Sequence, residues 1–402
     1  MRIGLLHPAL APLGGAERAL LALAQALAER GHEVSCFTTR LPDAAPAGVR
    51  WIELPQRPDW LGERAHSRWL GARIAARLPE LDLLLPHNPP AAWWAVDAQR
   101  CARRRVPVLW YCEEPDRLAW FSITDAWLVA RSASLPEALP RRDLLRQRVA
   151  DGAAAERSRR RRRRRQLDRS LVPRIDAIAA NSRHTAGLVA RIYAREAAVI
   201  PPGLAGPLAP PAPIPARGGL VCVAQRHAWK NPFAYLGVVA ALARGGRRDL
   251  RLDLVGDVDA EALRAEAARL GIAQQIALLG PLSEPDKLAR LGAARLCLSL
   301  PLCEPFGLVP VEAMAQGTPV VASQHGGPAE VVAPGETGLL VDPLDPAAAA
   351  RAVLELYGDL PRLQRMSASA QERVRRLYRL ELFAERIEGL ALALLREARD
   401  RA

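Results

Sequence analysis

The sequence predicts an α/β protein made of two similar halves, each with a parallel sheet flanked by helices. Short apolar runs rich in β-branched residues alternate with segments of helical periodicity along both halves. A proline-rich stretch over residues 201–215, which cannot form regular helix or sheet, separates the halves. The length of 402 residues is sufficient for two domains with their own cores. We therefore predict one domain over 1–200, a second over 201–366, and a helical segment over 367–402 that packs back on the first domain.

The first half begins with a strand, a glycine-rich loop and a helix. Residues 3–6 are apolar, and Gly14 and Gly15 precede a helical segment that runs through Arg30. Gly31 then turns the chain into the next strand. Further strands are predicted at 34–38, 83–86, 108–111 and 177–180.

The second half repeats this alternation of strands and helices. Strands are predicted at 220–224, 251–255, 275–279, 294–299 and 319–322. In doubly wound sheets, ligands bind at the carboxyl ends of the strands, so the residues that follow these strands are the first candidates for a site.

The composition indicates a cytoplasmic protein without disulfides. No apolar run reaches the length of a membrane span, and residues 1–8 are typical of a first strand and not of a signal peptide. The six cysteines include no C-x-x-C pair, which favours reduced core thiols. The net charge is +13, of which Arg157 and the run 159–165 supply +8. No nucleic-acid recognition motif or aromatic interleaving accompanies the run, so we do not predict nucleic-acid binding.

The most informative stretch contains two glutamates eight positions apart. Glu304 precedes the turn Phe306-Gly307, and Glu312 lies about two helical turns beyond it. Free amides at the start of that helix, over 306–309, are suited to phosphate, while carboxylates accept hydrogen bonds from sugar hydroxyls. The combination predicts a nucleotide-sugar site. The alternative for an isolated pair is that both glutamates merely cap or solvate a surface helix.

The rarity of lysine gives an independent indication. The chain has only Lys230 and Lys287 against dozens of arginines. Arg226 and Lys230 follow the strand over 220–224, so they lie at the carboxyl end of the predicted sheet. A guanidinium and an ammonium at this edge are the expected partners of a diphosphate.

Other polar motifs in the second half do not predict a metal site. Asp257-Val258-Asp259 has the D-x-D pattern, but it follows a strand and leads into a helix, so we assign no metal. His184 and His227 are possible general bases, and we interpret both as structural.

The order and spacing of these motifs resemble those of the retaining glycosyltransferases of family four. The 304–312 motif is followed by Gly326-Gly327-Pro328-Ala329-Glu330, similar to a G-G-x-x-E turn. The segment 335–343 then resembles the family's G-x-x-G-x-L-V-x-P hairpin. The resemblance covers nearly the whole chain and implies the GT-B fold, in which two Rossmann-like, doubly wound domains face each other across a cleft.

The resemblance also implies roles for individual residues, with a GDP- or UDP-sugar as donor and no cofactor or metal. Glu304 and the amides near the helix start hold the hexose, Glu312 the ribose, and Arg226 and Lys230 the donor phosphates. The amide of a glycine in the Gly14-Gly15 loop approaches the same phosphates. The implied donor site thus comprises Gly14, Gly15, Arg226, Lys230, Glu304, Phe306, Gly307, Leu308 and Glu312.

The first domain is expected to select the acceptor. Residues 111–117 resemble a Y-C-H-x-P-x-R segment of family members that build polysaccharides, many of them mannosyltransferases, with Glu113 in place of the histidine. Glu113, Arg226, Lys230 and Glu304 are the predicted catalytic residues. The predicted reaction moves a mannose- or glucose-type hexose to a glycan or lipid-linked saccharide in cell-surface polysaccharide synthesis. The alternatives are a nucleotide-sugar epimerase of the same fold and a non-catalytic subunit that binds a glycan or a partner.

The arginine run predicts peripheral binding to an anionic membrane. Family members that act on lipid-linked acceptors commonly dock to the cytoplasmic leaflet through a basic face. Trp120-Phe121 and residues 127–129 supply groups that settle at a bilayer interface. The predicted contacts are Arg159, Arg160, Arg161, Arg162, Arg163, Arg164 and Arg165. The alternative is a solvated helix face.

Overall fold

The computed structural model describes residues 1–11, 14–58, 61–206, 208 and 210–400. Within them the chain forms two compact units. The first comprises Met1–Thr124, Ala153–Ala205 and the carboxyl-terminal segment from Tyr378, and the second comprises Asp125–Gly152 and Gly206–Leu377. The predicted boundaries at 200 and 366 therefore lie near residues 205 and 377, after which the chain passes from one unit to the other. Residues 125–152, expected in the first domain, belong to the second unit.

The first unit and the segment 125–152 contain seven strands and eight helices before residue 205, and one more helix closes the chain. These elements are β1 (Arg2–His7), α1 (Gly15–Glu29), β2 (Glu33–Thr38), β3 (Val49–Glu53), α2 (Glu63–Ala75), β4 (Leu83–Pro86), α3 (Ala91–Cys101), β5 (Leu109–Cys112), α4 (Arg117–Thr124), α5 (Ala126–Arg131), α6 (Arg142–Glu156), α7 (Arg159–Leu171), β6 (Ala177–Ala180), α8 (Arg183–Tyr193) and β7 (Ala198–Val199), counted over the residues described.

The second unit continues with a six-stranded sheet and its helices. These are β8 (Leu220–Val223), α9 (Pro232–Arg244), β9 (Leu252–Val255), α10 (Ala260–Arg269), β10 (Ile276–Gly280), α11 (Glu284–Ala293), β11 (Leu296–Ser299), α12 (Leu308–Ala315), β12 (Val320–Ser323), α13 (Pro328–Val331), β13 (Gly338–Val341), α14 (Pro346–Tyr357) and α15 (Leu360–Leu377); the last helix, α16 (Leu380–Asp400), belongs to the first unit.

Both sheets are parallel throughout. In the first unit the order β3-β2-β1-β4 is joined to β5-β6-β7 through bridges at Leu84–Val108 and His87–Tyr111. In the second unit the order is β10-β9-β8-β11-β12-β13. Each unit is therefore an open α/β sheet of the Rossmann type, in which ligands bind at the carboxyl edge.

The structure corrects one predicted element and adds strands that the pattern did not indicate. The segment over 335–343 is not a hairpin, because Gly338–Val341 pairs in parallel with β12, Val320 opposite Gly338. β3 and β7 are edge strands, and their half-polar or very short sequences carry little alternation. The segment 125–152 contacts the second unit through an Arg131–Asp342 ion pair of 3.0 Å and a Trp127–His325 ring contact with centroids 3.8 Å apart.

A buried carboxylate anchors α7 within the first unit. Asp168 is fully buried and accepts hydrogen bonds from the Trp93 and Trp120 indoles, at 2.8 and 2.6 Å, and from the Tyr193 hydroxyl at 2.6 Å. Three neutral donors satisfy this carboxylate, and burial raises its pKa. The contacts connect α3, α4 and α8 to the helix that carries the arginine run. Among the residues described, no helix is both long and apolar enough to cross a membrane.

Candidate active site

The loop that carries Glu304 is packed directly against the glycine pair of the next motif. The Gly327 amide donates to the Glu304 carbonyl at 2.8 Å. A Cβ on Gly327 would lie 2.2 Å from the Phe306 Cα, and one on Gly326 would lie 2.4 Å from the Glu304 carbonyl oxygen. Only glycine fits at these two positions, so the spacing of the two motifs reflects a contact between their backbones.

The start of α12 has the geometry expected of the aromatic-glycine turn. Gly307 adopts a left-handed φ of 100° and caps the helix, which begins at Leu308. Phe306 is buried beside Gly307, so the packing of its ring holds the turn in place. The first amides of α12 therefore lie at the carboxyl edge of the sheet, beyond β11, where an anion can bind them.

Lys230 and Glu304 lie together at this edge. The Lys230 ammonium is 2.5 Å from the Glu304 carboxylate, and both side chains are partly exposed. Asn231, in a left-handed conformation, donates to the carbonyls of Leu300 and Pro343 at 3.0 and 2.9 Å. That amide ties the loop after β8 to the loops after β11 and β13, which positions Lys230.

Arg226 lies at the same edge but outside the Lys230–Glu304 pair. Its guanidinium donates to Asp257 at 2.9 Å, and both side chains are about two-thirds exposed, at 65% and 66%. The hydrogen bond to Asp257 raises the pKa of Arg226. Arg226 therefore stays a cation that can turn toward a ligand.

Glu312 is placed differently from Glu304, because it is 2% exposed on the inner face of α12. Its partner is the second lysine of the chain: the Lys287 ammonium, on α11, is 2.8 Å from Glu312 Oε1. The same ammonium is 2.8 Å from Glu284 Oε1. Each lysine of this chain therefore contacts one glutamate of the 304–312 motif.

In the first unit, Gly14 caps α1 and Gly15 is its first residue. The Gly14 amide donates to Glu17 Oε2 at 2.8 Å. The neighbouring positions Pro12 and Leu13 lie outside the described residues. The donor-phosphate role of Gly14 and Gly15 stays a prediction, and in this structure the Gly14 amide already has a carboxylate acceptor.

Glu113 is buried and held by side chains from two other segments. His87 Nδ1 is 3.3 Å from Glu113 Oε1, and the Asn88 amide donates to Oε2 at 2.8 Å. The Asn181 side chain donates to the Glu113 carbonyl at 2.8 Å. His7 ends β1, His87 follows β4 and Glu113 follows β5, so three adjacent strands bring these groups to one edge. We call His7, Glu17, His87 and Glu113 the histidine–glutamate cluster.

Burial shifts the pKa of two members of this cluster, His7 and Glu17. Burial lowers the pKa of His7 to about 4, with the Glu113 carboxylate opposing and His87 reinforcing the shift. Burial also raises the pKa of Glu17, whose Oε1 lies 3.8 Å from His7 Nε2. At neutral pH, His7 is therefore an uncharged ring with Nδ1 2.7 Å from the Ala9 carbonyl.

The arginine run divides into exposed and inward-facing residues. Arg164 is 13% exposed and pairs with Asp116 and, at 2.6 Å, with Glu63, while Arg165 pairs with Glu156 at 3.1 Å. The Arg164 guanidinium also lies over the Trp93 ring, 4.8 Å from its centroid. Those partners remove Arg164 and Arg165 from the predicted membrane contacts, and the half-buried Arg161 belongs with them. The exposed members are Arg159, Arg160, Arg162 and Arg163.

Three of the five residues predicted as the apolar part of that surface are buried. Trp120, Phe121 and Leu128 are at most 5% exposed, because their rings and methyl groups pack in the core. They therefore cannot reach a bilayer from their positions in this structure.

The aspartates of the D-x-D pattern have ordinary partners, and His184 and His227 lie at the starts of helices. Asp257 contacts Arg226, and Asp259 caps α10 by accepting from the Ala262 amide at 3.1 Å. Within the described parts of the chain, no group of three or more His, Cys, Asp or Glu side chains has the arrangement of a metal site. His227 caps the single turn Ala228–Lys230, and His184 lies in the first turn of α8.

Two family models match consecutive parts of this chain. Residues 13–205 match the model of Glycosyltransferase Family 4, and residues 217–373 match that of Glycosyl transferases group 1. The chain belongs to the family-four glycosyltransferases. This confirms the resemblance that the motifs indicated, and with it a retaining enzyme of the GT-B fold.

Known proteins similar to this family-four enzyme agree with that placement. The D-inositol 3-phosphate glycosyltransferase of Streptomyces scabiei is 29% identical over 90% of this chain and 83% of its own length. That of Corynebacterium diphtheriae is 38% identical, but over 37% of this chain and 36% of its own length. The chain thus aligns with little more than a third of the corynebacterial relative.

Solved structures share the fold over nearly the full chain. Sucrose-phosphate synthase from Thermosynechococcus elongatus superposes with a TM-score of 0.76 at 23% identity, over 99% of this chain and 100% of that one. Anabaena HepE in complex with UDP-glucose gives 0.71 at 21% identity, over 98% and 100%. At these identities the comparison establishes the GT-B fold of the enzyme and not its substrate.

Lys287, Asn231, His7 and His87 are functional candidates to which the sequence analysis assigned no role. The rarity of lysine was a signal for Lys287, which lies in a helix far from any motif. His7 and His87 each end or follow a predicted strand, which is the same signal that identified Arg226 and Lys230.

Proposed function

We propose that this family-four enzyme transfers a mannose- or glucose-type hexose, with retention, from a UDP- or GDP-sugar to a glycan or lipid-linked saccharide in cell-surface polysaccharide synthesis. One observation carries the proposal. At the carboxyl edge of the second sheet, the Lys230–Glu304 pair and the first amides of α12 lie on loops held together by Asn231 and the Gly326-Gly327 turn. Cationic, amide and carboxylate groups in one place suit a sugar diphosphate.

The proposed chemistry is electrostatic stabilisation of the leaving diphosphate. Lys230, Arg226 and the α12 amides neutralise the charge that develops as the glycosidic bond breaks. Glu304 accepts from the hexose hydroxyls and holds Lys230 in position before the donor arrives. Attack occurs on the face from which the diphosphate leaves, and the leaving phosphate assists removal of the acceptor proton.

The acceptor is proposed to bind the first unit near Glu113. That carboxylate stands where polysaccharide-building relatives have histidine, and its contacts with His87 and Asn88 fix its direction. A carboxylate accepts a hydrogen bond from a sugar hydroxyl as readily as an imidazole does.

Donor hydrolysis provides the test. The purified enzyme is incubated with UDP- and GDP-linked glucose, galactose, N-acetylglucosamine and mannose, and release of the nucleotide and the sugar is measured. We expect slow release from one donor, acceleration by a saccharide acceptor, and a product with the donor's anomeric configuration. Epimerised sugar formed without an acceptor would favour the epimerase, and no turnover of any donor despite nucleotide binding would favour a non-catalytic subunit.

We further propose that the exposed arginines of α7 bind the anionic cytoplasmic face of a membrane. Arg159, Arg160, Arg162 and Arg163 are consecutive or nearly so and are exposed on one helix, where each contributes about 1 kcal/mol near an anionic surface. Four such contacts total about 4 kcal/mol, somewhat less than the reversible anchoring of a single acyl chain, so the proposed binding is weak and reversible. The inward-facing Arg161, Arg164 and Arg165 position the helix.

The membrane proposal is tested by flotation with vesicles of phosphatidylcholine alone or with one-third phosphatidylglycerol. We expect salt-sensitive binding to the anionic vesicles, largely lost when the four exposed arginines become Gln. A control with Arg365, Arg375, Arg376 and Arg379 changed to Gln has the same net charge and should still bind. Equal flotation of the two variants, or no preference for anionic vesicles at low salt, would make the run a solvated helix face.

A further inference from the structure

The contact between Lys287 and Glu312 places a lysine at a position where a helix normally has an apolar side chain. Lys287 lies on the inner face of α11 one turn before the fully buried Leu291, and its side chain is 7% exposed. Glu312 faces it from α12 with a 3% exposed side chain. Removing two charges from water costs several kcal/mol per ion in general, and such pairs seldom stabilise a fold relative to apolar packing. A buried pair beside a binding loop therefore calls for a reason other than stability.

The choice of lysine over arginine indicates what the pair does. The chain uses lysine twice among 56 basic residues, and both lysines contact the glutamates of the same motif. A guanidinium binds a carboxylate through two parallel hydrogen bonds and engages both oxygens. An ammonium is a compact charge, and here it lies beside one oxygen of Glu312, Oε1, so it favours the carboxylate orientations that keep Oε1 next to it.

The third member of this group preserves the acceptor character of Glu312. Glu284 Oε1 is 2.8 Å from the same ammonium, and its side chain is 44% exposed. One ammonium shared by two carboxylates leaves a net charge of −1 on the three groups. Glu312 is therefore oriented by Lys287 without being fully neutralised, as a carboxylate that receives hydroxyl hydrogens requires.

We propose that Lys287 is a positioning residue for ribose recognition: it holds one oxygen of Glu312 and so presents the carboxylate to the ribose hydroxyls of the donor nucleotide. This inference rests on the proposed function and on the role that the family resemblance implies for Glu312, which is to bind the ribose. The competing explanation is that Lys287 only compensates the buried charge of Glu312.

The two explanations differ in their consequences for a charge-conserving substitution. Lys287→Arg keeps the positive charge, so charge compensation alone predicts nucleotide binding like that of the wild type. Positioning predicts a loss, because a bidentate guanidinium engages both Glu312 oxygens. Lys287→Met removes both the charge and the contact to Oε1, so positioning predicts a loss there too.

The test is binding of UDP and GDP, and of their 2′-deoxy and 3′-deoxy forms, measured by calorimetry. For the nucleotide that the wild type binds, a hydrogen bond to a carboxylate corresponds to about a 10- to 100-fold preference for the ribose form. We expect Lys287→Arg and Lys287→Met to lose most of that preference while binding the deoxy forms as the wild type does. Arg290→Met, an exposed position on the same helix that pairs with Asp253 at 3.4 Å, is the matched control and should keep the preference.

Each outcome bears on a separate claim. A full ribose preference in Lys287→Arg, or an equal loss for ribose and deoxy forms in both variants, would overturn the positioning role. Lys287→Met removes charge and contact together, so it does not separate the two explanations alone. If Lys287→Arg does not fold, Lys287→Gln replaces it: its amide can donate one hydrogen bond to Glu312 without a charge, so positioning predicts that the ribose preference is kept and charge compensation predicts that it is lost. A wild type that binds nucleotides without ribose preference would overturn the inference but not glycosyl transfer. A wild type that binds neither UDP nor GDP would overturn the proposed function and the inference with it.

Discussion

The two units place carboxylates at the carboxyl edges of their sheets, but with different partners. In the second unit, Glu304 and Glu312 each contact a lysine. In the first unit, Glu113 contacts a histidine and an amide, and Glu17 lies near a second histidine. Lysine keeps its charge across the physiological pH range, whereas burial lowers the pKa of His7 to about 4 and leaves its ring uncharged at neutral pH. The carboxylates of the second unit therefore face permanent cations, and in the first unit Glu17 lies near a neutral imidazole.

Removing the permanent charge of Lys230 is the most demanding test of this comparison. Lys230→Ala is expected to lower donor turnover about 30- to 1000-fold, because a charge-assisted contact to the diphosphate, worth about 2–4 kcal/mol, is lost. Nucleotide release under donor-limiting conditions measures the effect. Arg264→Ala, an exposed position on α10, is the control. Normal turnover in folded Lys230→Ala would show that Lys230 does not contribute to the reaction.

A second substitution tests whether Glu113 is a working carboxylate. Glu113→Gln keeps the shape but removes the negative charge that His87 and Asn88 face, and we expect turnover to fall about 10- to 100-fold. Glu113→His introduces the histidine of the Y-C-H-x-P-x-R segment that residues 111–117 resemble, but it faces His87 with an imidazole in place of a carboxylate. We expect it to be no more active than Glu113→Gln. Activity above the wild type in Glu113→His would mean that Glu113 is a degenerate position.

The pH dependence of stability tests the histidine of the first site. The pKa of His7 is about 4 in the folded protein and about 6.5 when unfolded, so the unfolded chain binds the extra proton first. Stability is therefore lost as pH falls through this window, by about 2 kcal/mol between pH 7 and pH 5 from this group alone. Urea unfolding of the wild type and of His7→Gln at both pH values measures it. Equal losses in the two proteins would show that His7 does not carry the dependence.

The smallest expected effect is that of chelation. The cations proposed for the second site are Arg226 and Lys230, so EDTA should leave donor turnover unchanged. The measurement is nucleotide release before and after chelation, with Mg²⁺ and Mn²⁺ added back. Loss of activity that only a divalent ion restores would contradict this.

Much of the fold follows from patterns that act locally. The strands at 83–86 and 177–180 were predicted at their observed bounds, because continuous apolar runs bounded by turn residues have few other solutions. The start and end of α12 follow from Gly307 and Gly317, which both adopt left-handed conformations. The family could also be recognised from the sequence, because its motifs are short, occur in a fixed order and lie close together.

The sequence by itself thus determined the alternating elements, the family and the sheet edge at which the proposed donor residues lie, since each depends on neighbours along the chain. Tertiary structure alone decided that Lys287 meets Glu312, that Glu113 is held by His87 and Asn88, and that Arg164 faces inward to Glu63 and Asp116. These contacts join residues 25 to 101 positions apart in the chain. They depend on how helices pack on the sheet, which hydrophobic periodicity leaves open.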